Sequence, residues 1–323
     1  MKKRSRPLPT NPHDRYFEEV FKFLVVVQQL VRVFIPPEQL ALLNLDALQL
    51  SSESFIGADQ REFFSDLVYM CETTEGQPVR VCLLLEHKST NVGRRIFVQL
   101  GNYLRGIQEE DIRQGRTYFT LTIPILFYHG EEPWEPGSLR HQYGPVPVLL
   151  TGYIPHFDLV YIQVSSLSDE VIEGMHDALL LRNVLLAFKH ARDVEYLRQN
   201  FSKILIFVFE NADMEVLLGL FEATFLYLQR VSTLQKEEVM NLIQTLPPAY
   251  EERAKTTYEQ IFEEGLEKGR EQGLLEGRME GRMEGMEALL LAFLRKNPDW
   301  SDERVATTFE VSMEVVQKVR QMI

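Results

Sequence analysis

The chain has 323 residues, 45% of them hydrophobic and 11% aromatic, with a formal net charge of −13. That apolar content excludes global disorder and supplies one large core, or one core with a helical appendage. Cys71 and Cys82 stand in no CxxC or Cys/His spacing, which excludes a disulfide framework and a thiolate zinc site.

The longest apolar stretches, 23–36 and 203–209, are short or broken by polar residues. Both fall well under the roughly 20 residues of a bilayer helix, so no membrane partner is expected. The opening MKKRSRPLPTNPHD has no apolar segment behind its basic run and does not read as a secretory signal, which places the chain in the cytoplasm. An acidic protein is a poor ligand for nucleic acid, because phosphate binding needs cations. The acidity is uneven, however. Residues 1–140 hold 16 Lys and Arg against 18 Asp and Glu, a net of −2, leaving −11 for the rest. The basic arm Lys2, Lys3, Arg4 and Arg6 reads first as a solvated tail, with phosphate contact as the alternative.

Taken in order, Asp14–Phe34 carries apolar residues at helical spacing and stops at Pro36-Pro37, which predicts a first helix. Three strands follow at Leu48–Ile56, Glu62–Glu72 and Val79–Lys88, with a turn at Thr73–Pro78. In the third, Val81, Leu83 and Leu85 alternate with Cys82 and Leu84, so both faces are apolar, as in a central strand. Arg94–Arg113 predicts a second helix, Tyr118–Tyr128 a strand, Leu159–Val164 a short strand, and Asp169 to about Leu246 a mostly helical region.

Glycine then recurs every fourth residue from Gly265 to Gly285. Each costs a helix about 1 kcal/mol relative to alanine, so a helix here predicts something packed on the glycine ridge. The two readings are pairing with another copy of the chain, a homo-oligomer, and a charged flexible tether. Residues 293–323 predict a two-helix hairpin, in which Glu303, Glu310 and Glu314 favour packing over groove reading.

The chemistry concentrates in SDLVYM, VRVCLLLEHKST and FVQLGNY. Asp66 on the second strand and Glu86 near the end of the third converge if the two strands pair. Glu86 and Lys88, two apart, point to one face. Two carboxylates, waters and a backbone carbonyl make an oxygen shell for Mg2+. The metal lowers the pKa of bound water, and a nearby lysine can orient that water. Glu-x-Lys alone arises by chance. Here it caps an apolar strand, follows an acid on the preceding strand and precedes a helix with Gln99 and Tyr103 on one face. Arg94 and Arg95 open that helix, where they read as phosphate contacts or as surface ion pairs. His87 alternates to the opposite face, which favours packing. His13 reads as a helix-start residue and His129 as a turn residue, with contact to the site as the alternative for either, and Trp134 as packing for a loop.

NPHDRYFEEVF, SDLVYM, LLLEHKS, FVQLGNY and IPILFYHGEEPW together resemble the PD-(D/E)XK nuclease superfamily and, within it, the recombination-promoting nuclease (Rpn) family, also catalogued as transposase-like. The late Glu-Gly-Arg repeat is similar to what many members carry. The resemblance implies an α/β restriction-endonuclease-like core (helix, three-strand meander, helix, strand) followed by a mainly α-helical C-terminal region. It divides the chain into a nuclease domain at 1–165, a helical region at 166–262, and the glycine helix with the C-terminal hairpin at 263–323.

It further implies a metal-dependent DNA endonuclease using Mg2+, or Mn2+ or Ca2+, linked to recombination or mobile elements. Asp66 and Glu86 would be metal ligands with the His87 carbonyl, Lys88 the catalytic lysine, Gln99 and Tyr103 the helix-two motif, and Asp14 or Glu18 an additional acid. Ser65 stands where the superfamily's proline would be. Lys88 is glutamine in many relatives, so its presence favours retained activity. The competing reading is an inactive DNA-associated or regulatory protein that keeps the fold.

Overall fold

The computed structural model describes residues 11–51, 65–86, 94–130, 132–207 and 213–323. The basic arm at Lys2, Lys3, Arg4 and Arg6 lies outside them. The chain divides into two compact units, Met1–Lys255 and Thr256–Ile323.

The first unit opens with helix α1 (Pro12–Phe21), whose start is fixed by the Asn11 side chain accepting from the His13 amide and by Pro12 in the first turn. The single helix expected over Asp14–Phe34 is two: α2 (Leu24–Phe34) begins afresh after Phe23, which is extended. The break has a packing cause. The Phe23 ring lies against Gly219, so close that a Cβ there would stand 2.7 Å from its Cζ. A short helix α3 (Pro37–Leu40) leads into the sheet.

Five strands, β1 (Leu43–Leu50), β2 (Ser65–Thr73), β3 (Pro78–Glu86), β4 (Leu121–Tyr128) and β5 (Val160–Gln163), form one mixed sheet in the order β1-β2-β3-β4-β5. The first three are antiparallel, and β3-β4 and β4-β5 are parallel. The first strand was expected at Leu48–Ile56 and lies earlier. Residues 52–64, with the start of the second expected strand, are outside the described ones. Gly76 turns the β2-β3 hairpin at φ 81°, a conformation suited to glycine. A parallel β3-β4 pair demands a crossover, and helix α4 (Arg95–Arg113) supplies it.

Both faces of the sheet are covered. Phe17 and Phe21 of α1 meet Phe127 at ring distances of 5.7 and 5.6 Å, and the Tyr69 hydroxyl donates to the Phe21 carbonyl at 2.5 Å. On the other face Ile96, Phe97, Leu100, Tyr103 and Ile107 of α4 pack with Val68, Leu126, Tyr128 and Trp134. Burying each such large side chain contributes about 1.5–3 kcal/mol. Beneath α4's last turn a buried ion pair pins helix to sheet. Arg80 of β3 is 0% exposed and Asp111 1%, with Nη1 2.8 Å from Oδ1, and Asp111 also accepts from the Thr120 amide at 2.7 Å. Burial pushes the Asp111 carboxyl up. The Thr120 amide and the Arg80 guanidinium outweigh that and leave it below its ordinary value.

Helices α5 (Asp169–Glu173), α6 (Leu179–His190), α7 (Val194–Leu205), α8 (Met214–Val231) and α9 (Lys236–Ile243) follow, the mostly helical region that the periodicity predicts. α6 is buried around most of its circumference, and α8 packs along α1.

Helix α10 (Pro248–Lys296) is continuous through the glycine repeat. Among the described residues nothing covers its ridge at Gly273, Gly277, Gly281 or Gly285, where a Cβ would meet no atom within 4 Å. In the second unit, Leu290 and Leu294 at its end pack with Val305 of α11 (Asp302–Phe309) and Val316 and Val319 of α12 (Met313–Arg320). Ser301 and Ser312 cap the two short helices, while Lys318 pairs with Glu287 and Arg320 with Asp302. No helix among the described residues is long and apolar enough to cross a membrane.

Candidate active site

Strand register decides which of the candidate residues can meet. Asp66 is paired with Leu84, and Ser65 with Leu85. Side chains alternate along a strand, so the positions of Asp66, Leu84 and Glu86 share one sheet face, with Glu86 two residues past the partner of Asp66. Glu86 ends β3 in register with Tyr128, which ends β4. Two carboxylate-bearing positions on neighbouring strands therefore stand at one end of the sheet. His87 and Lys88 lie outside the described residues.

The face that carries these positions is the one roofed by α4. Gln99 and Tyr103 are one turn apart on that helix. Tyr103 is buried with Val68 and Tyr128, and Gln99 presents a buried side-chain carbonyl oxygen with no hydrogen-bond partner among the described residues. Such an oxygen usually has a partner. Arg94 and Arg95 are exposed where α4 begins.

Asp14 and Glu18 arrive from the opposite face. Tyr128 is followed by His129, whose ring centroid is 4.9 Å from that of His13. The first turn of α1 thus lies at the carboxyl end of β4, the end that carries Glu86. Asp14 belongs to that turn and Glu18 to the next one along the helix. The sequence reads His13 and His129 as start and turn residues, with contact to the site as the alternative for either. The structure joins His13 to Tyr227 and Arg192 and His129 to Phe188, groups from the helical region that no spacing signal links to α1. Trp134, expected to pack a loop, is buried edge-on against Tyr128. Its carbonyl accepts from the Tyr161 hydroxyl.

Among the described residues no group of three or more His, Cys, Asp and Glu side chains is arranged to hold a metal ion. The donor types at Asp66 and Glu86 are oxygen only, the ligand class of Mg2+, Mn2+ and Ca2+ rather than of zinc. That donor set fits a hard divalent cation.

A family profile described as "Putative transposase, YhgA-like" matches residues 11–215, a span that holds the sheet, α4 and the helices through the start of α8. The chain belongs to that family. It is 28% identical over 186 residues to the inactive recombination-promoting nuclease-like protein RpnE of Escherichia coli K12, covering 57% of this chain and 60% of that one. It is 30% identical over 135 residues to the recombination-promoting nuclease RpnA of the same strain, covering 42% and 46%. The nuclease RpnD of Escherichia coli O157:H7 is 28% identical over 174 residues, covering 53% and 66%. The chain thus spans less than two thirds of these relatives. No solved structure matches it.

Proposed function

We propose that the chain is a metal-dependent DNA endonuclease of the PD-(D/E)XK type, hydrolysing phosphodiester bonds. The observation that carries this reading is the register that puts Asp66 and Glu86 on one face at one end of the sheet, the placement a two-carboxylate phosphodiesterase needs. Kinship with proteins named recombination-promoting nucleases supports the DNA substrate and the association with recombination.

In this reading Asp66, Glu86 and the His87 carbonyl hold Mg2+ or Mn2+. The bound metal lowers the pKa of a coordinated water and offsets charge building on the phosphate. Lys88, two residues past Glu86 in sequence, would orient that water by donating to it and stabilise the oxyanion. Gln99 turns its carbonyl oxygen toward the same space and accepts from the attacking water. Arg94 and Arg95 bind the flanking phosphates, contacts that fix the strand without reading its sequence. Pairing of α10 with a second copy along its glycine ridge belongs to the same proposal, and light scattering of the eluted protein reads it.

Nicking of supercoiled plasmid with and without Mg2+ is the test. Asp66→Ala and Glu86→Ala are expected to abolish metal-dependent nicking while the circular dichroism spectrum stays unchanged. Either variant cutting at the wild-type rate would overturn the site. A second reading, a fold-retaining but inactive protein, is favoured by the match to an inactive relative over the longest of these alignments. It predicts no cleavage by the unaltered chain.

A further inference from the structure

The first turn of α1 is held by residues far outside the sheet. His13 is 5% exposed, and both of its ring nitrogens face groups from the helical region. Nδ1 is 2.8 Å from Tyr227 Oη of α8, and Nε2 is 3.4 Å from Arg192 Nη2 in the turn between α6 and α7. A guanidinium can only donate. Nε2 is therefore the acceptor, and Nδ1 carries the proton and donates to Tyr227. His129, beside the His13 ring, in turn donates from Nε2 to the Phe188 carbonyl of α6 at 2.6 Å.

The same tyrosine holds α1 a second time. The Tyr227 ring stacks on Tyr16 at 4.1 Å with the planes 5° apart, and the Tyr16 hydroxyl lies 3.0 Å from Thr224 Oγ1. A histidine that merely filled core space would need none of this directionality. Two directed bonds and a ring stack fix both the rotation of α1 about its axis and its position along the end of β4.

We infer that His13 is a positioning residue. It locks the first turn of α1, and with it the adjacent Asp14, against the carboxylate end of β3 and β4, so that α6 and α8 are structural parts of the active site. This inference rests on the nuclease reading. It assigns to the helices after β5 a role in the chemistry that the three-part division of the chain does not give them.

The test uses the full chain with His13→Ala, Tyr227→Phe and His13→Asn. Tyr227→Phe removes one hydroxyl and keeps the stack on Tyr16, so its fold is retained. Asparagine at 13 can place its amide N–H where Nδ1 stands. Three readouts are compared: single-turnover plasmid cleavage at saturating Mg2+, Mn2+ binding by calorimetry, and the metal-free thermal midpoint. Small displacements of a catalytic group cost rates of order 10²-fold. His13→Ala and Tyr227→Phe are accordingly expected to slow cleavage by about 10- to 100-fold and to weaken Mn2+ binding, with the Tyr227→Phe midpoint close to wild type. His13→Asn is expected to recover most of the loss. Tyr227→Phe with wild-type rate and Mn2+ affinity would overturn the inference and leave the nuclease reading standing. An unaltered chain that neither binds Mn2+ nor cuts DNA would overturn both.

Discussion

Asp111→Asn neutralises a buried carboxylate that pairs with Arg80 at 2.8 Å and with the partly exposed Arg116 at 3.2 Å. The substitution keeps the shape of the side chain and an oxygen able to accept from the Thr120 amide, now 2.7 Å away. What it removes is the negative charge 2.8 Å from the Arg80 guanidinium, at a site where Arg80 is 0% and Asp111 1% exposed. Breaking a buried pair by neutralising one partner costs about 3–5 kcal/mol, whereas replacing both partners by apolar groups is often neutral. Asp111→Asn is therefore expected to cost about 3–5 kcal/mol in urea unfolding followed by circular dichroism, and the double variant Arg80→Met with Asp111→Asn, which keeps the acceptor for Thr120, to recover most of it. The pH dependence follows from the direction of the shift. The folded Asp111 carboxyl titrates below its ordinary value, so its contribution is complete above the unfolded pKa of about 3.9 and is lost as pH falls through the lower folded value. Wild-type stability is expected to fall more steeply than that of Asp111→Asn below about pH 4. A cost for Asp111→Asn under about 1 kcal/mol, at the level of an exposed pair, would refute this account of how α4 is anchored.

Three further outcomes are expected. Lys88→Ala should lower the single-turnover cleavage rate by about 10²–10³-fold, as for loss of one preorganised electrostatic group, with metal affinity by calorimetry unchanged or higher. Weakened metal binding with an unchanged rate at saturation would assign Lys88 to holding the acids instead. Gly219→Ala should cost about 1–3 kcal/mol of overpacking in urea unfolding, because the added Cβ falls 2.7 Å from Phe23 Cζ; adding Phe23→Ala should erase that increment. Truncation after Lys255 should leave a folded chain that still nicks plasmid. Truncation after Leu246 should lower its thermal midpoint, since it deletes the Tyr250 hydroxyl that donates to the Phe207 carbonyl and the Arg253 partner of Glu222.

What the sequence made legible was whatever depends on near neighbours. The unbroken apolar run of β3 identifies a strand covered on both faces, and the sheet order puts it third of five, between β2 and β4. The spacing of Gln99 and Tyr103 puts them on one face of α4 whatever that helix packs against. Pro124 was a harder signal, because proline argues against a central strand. It is accommodated because β5 pairs only with Ile125–Tyr128, so at Pro124 β4 is still an edge strand. The misses share a long-range cause. The heptad-like run through Lys22 and Phe23 contains nothing that breaks a helix, and the break exists only because Gly219 of α8 leaves room for the Phe23 ring. Arg80 carried no signal either, since its carboxylate belongs to a helix beyond the hairpin partner. The same reasoning bears on the candidate site. Asp66 and Glu86 stand on the two strands of one hairpin, a separation short enough for a local motif to record. The contacts of His13 with Arg192 and Tyr227 join segments that no local pattern connects, so the part of the site built by tertiary packing becomes visible only once α1 and α8 are seen side by side.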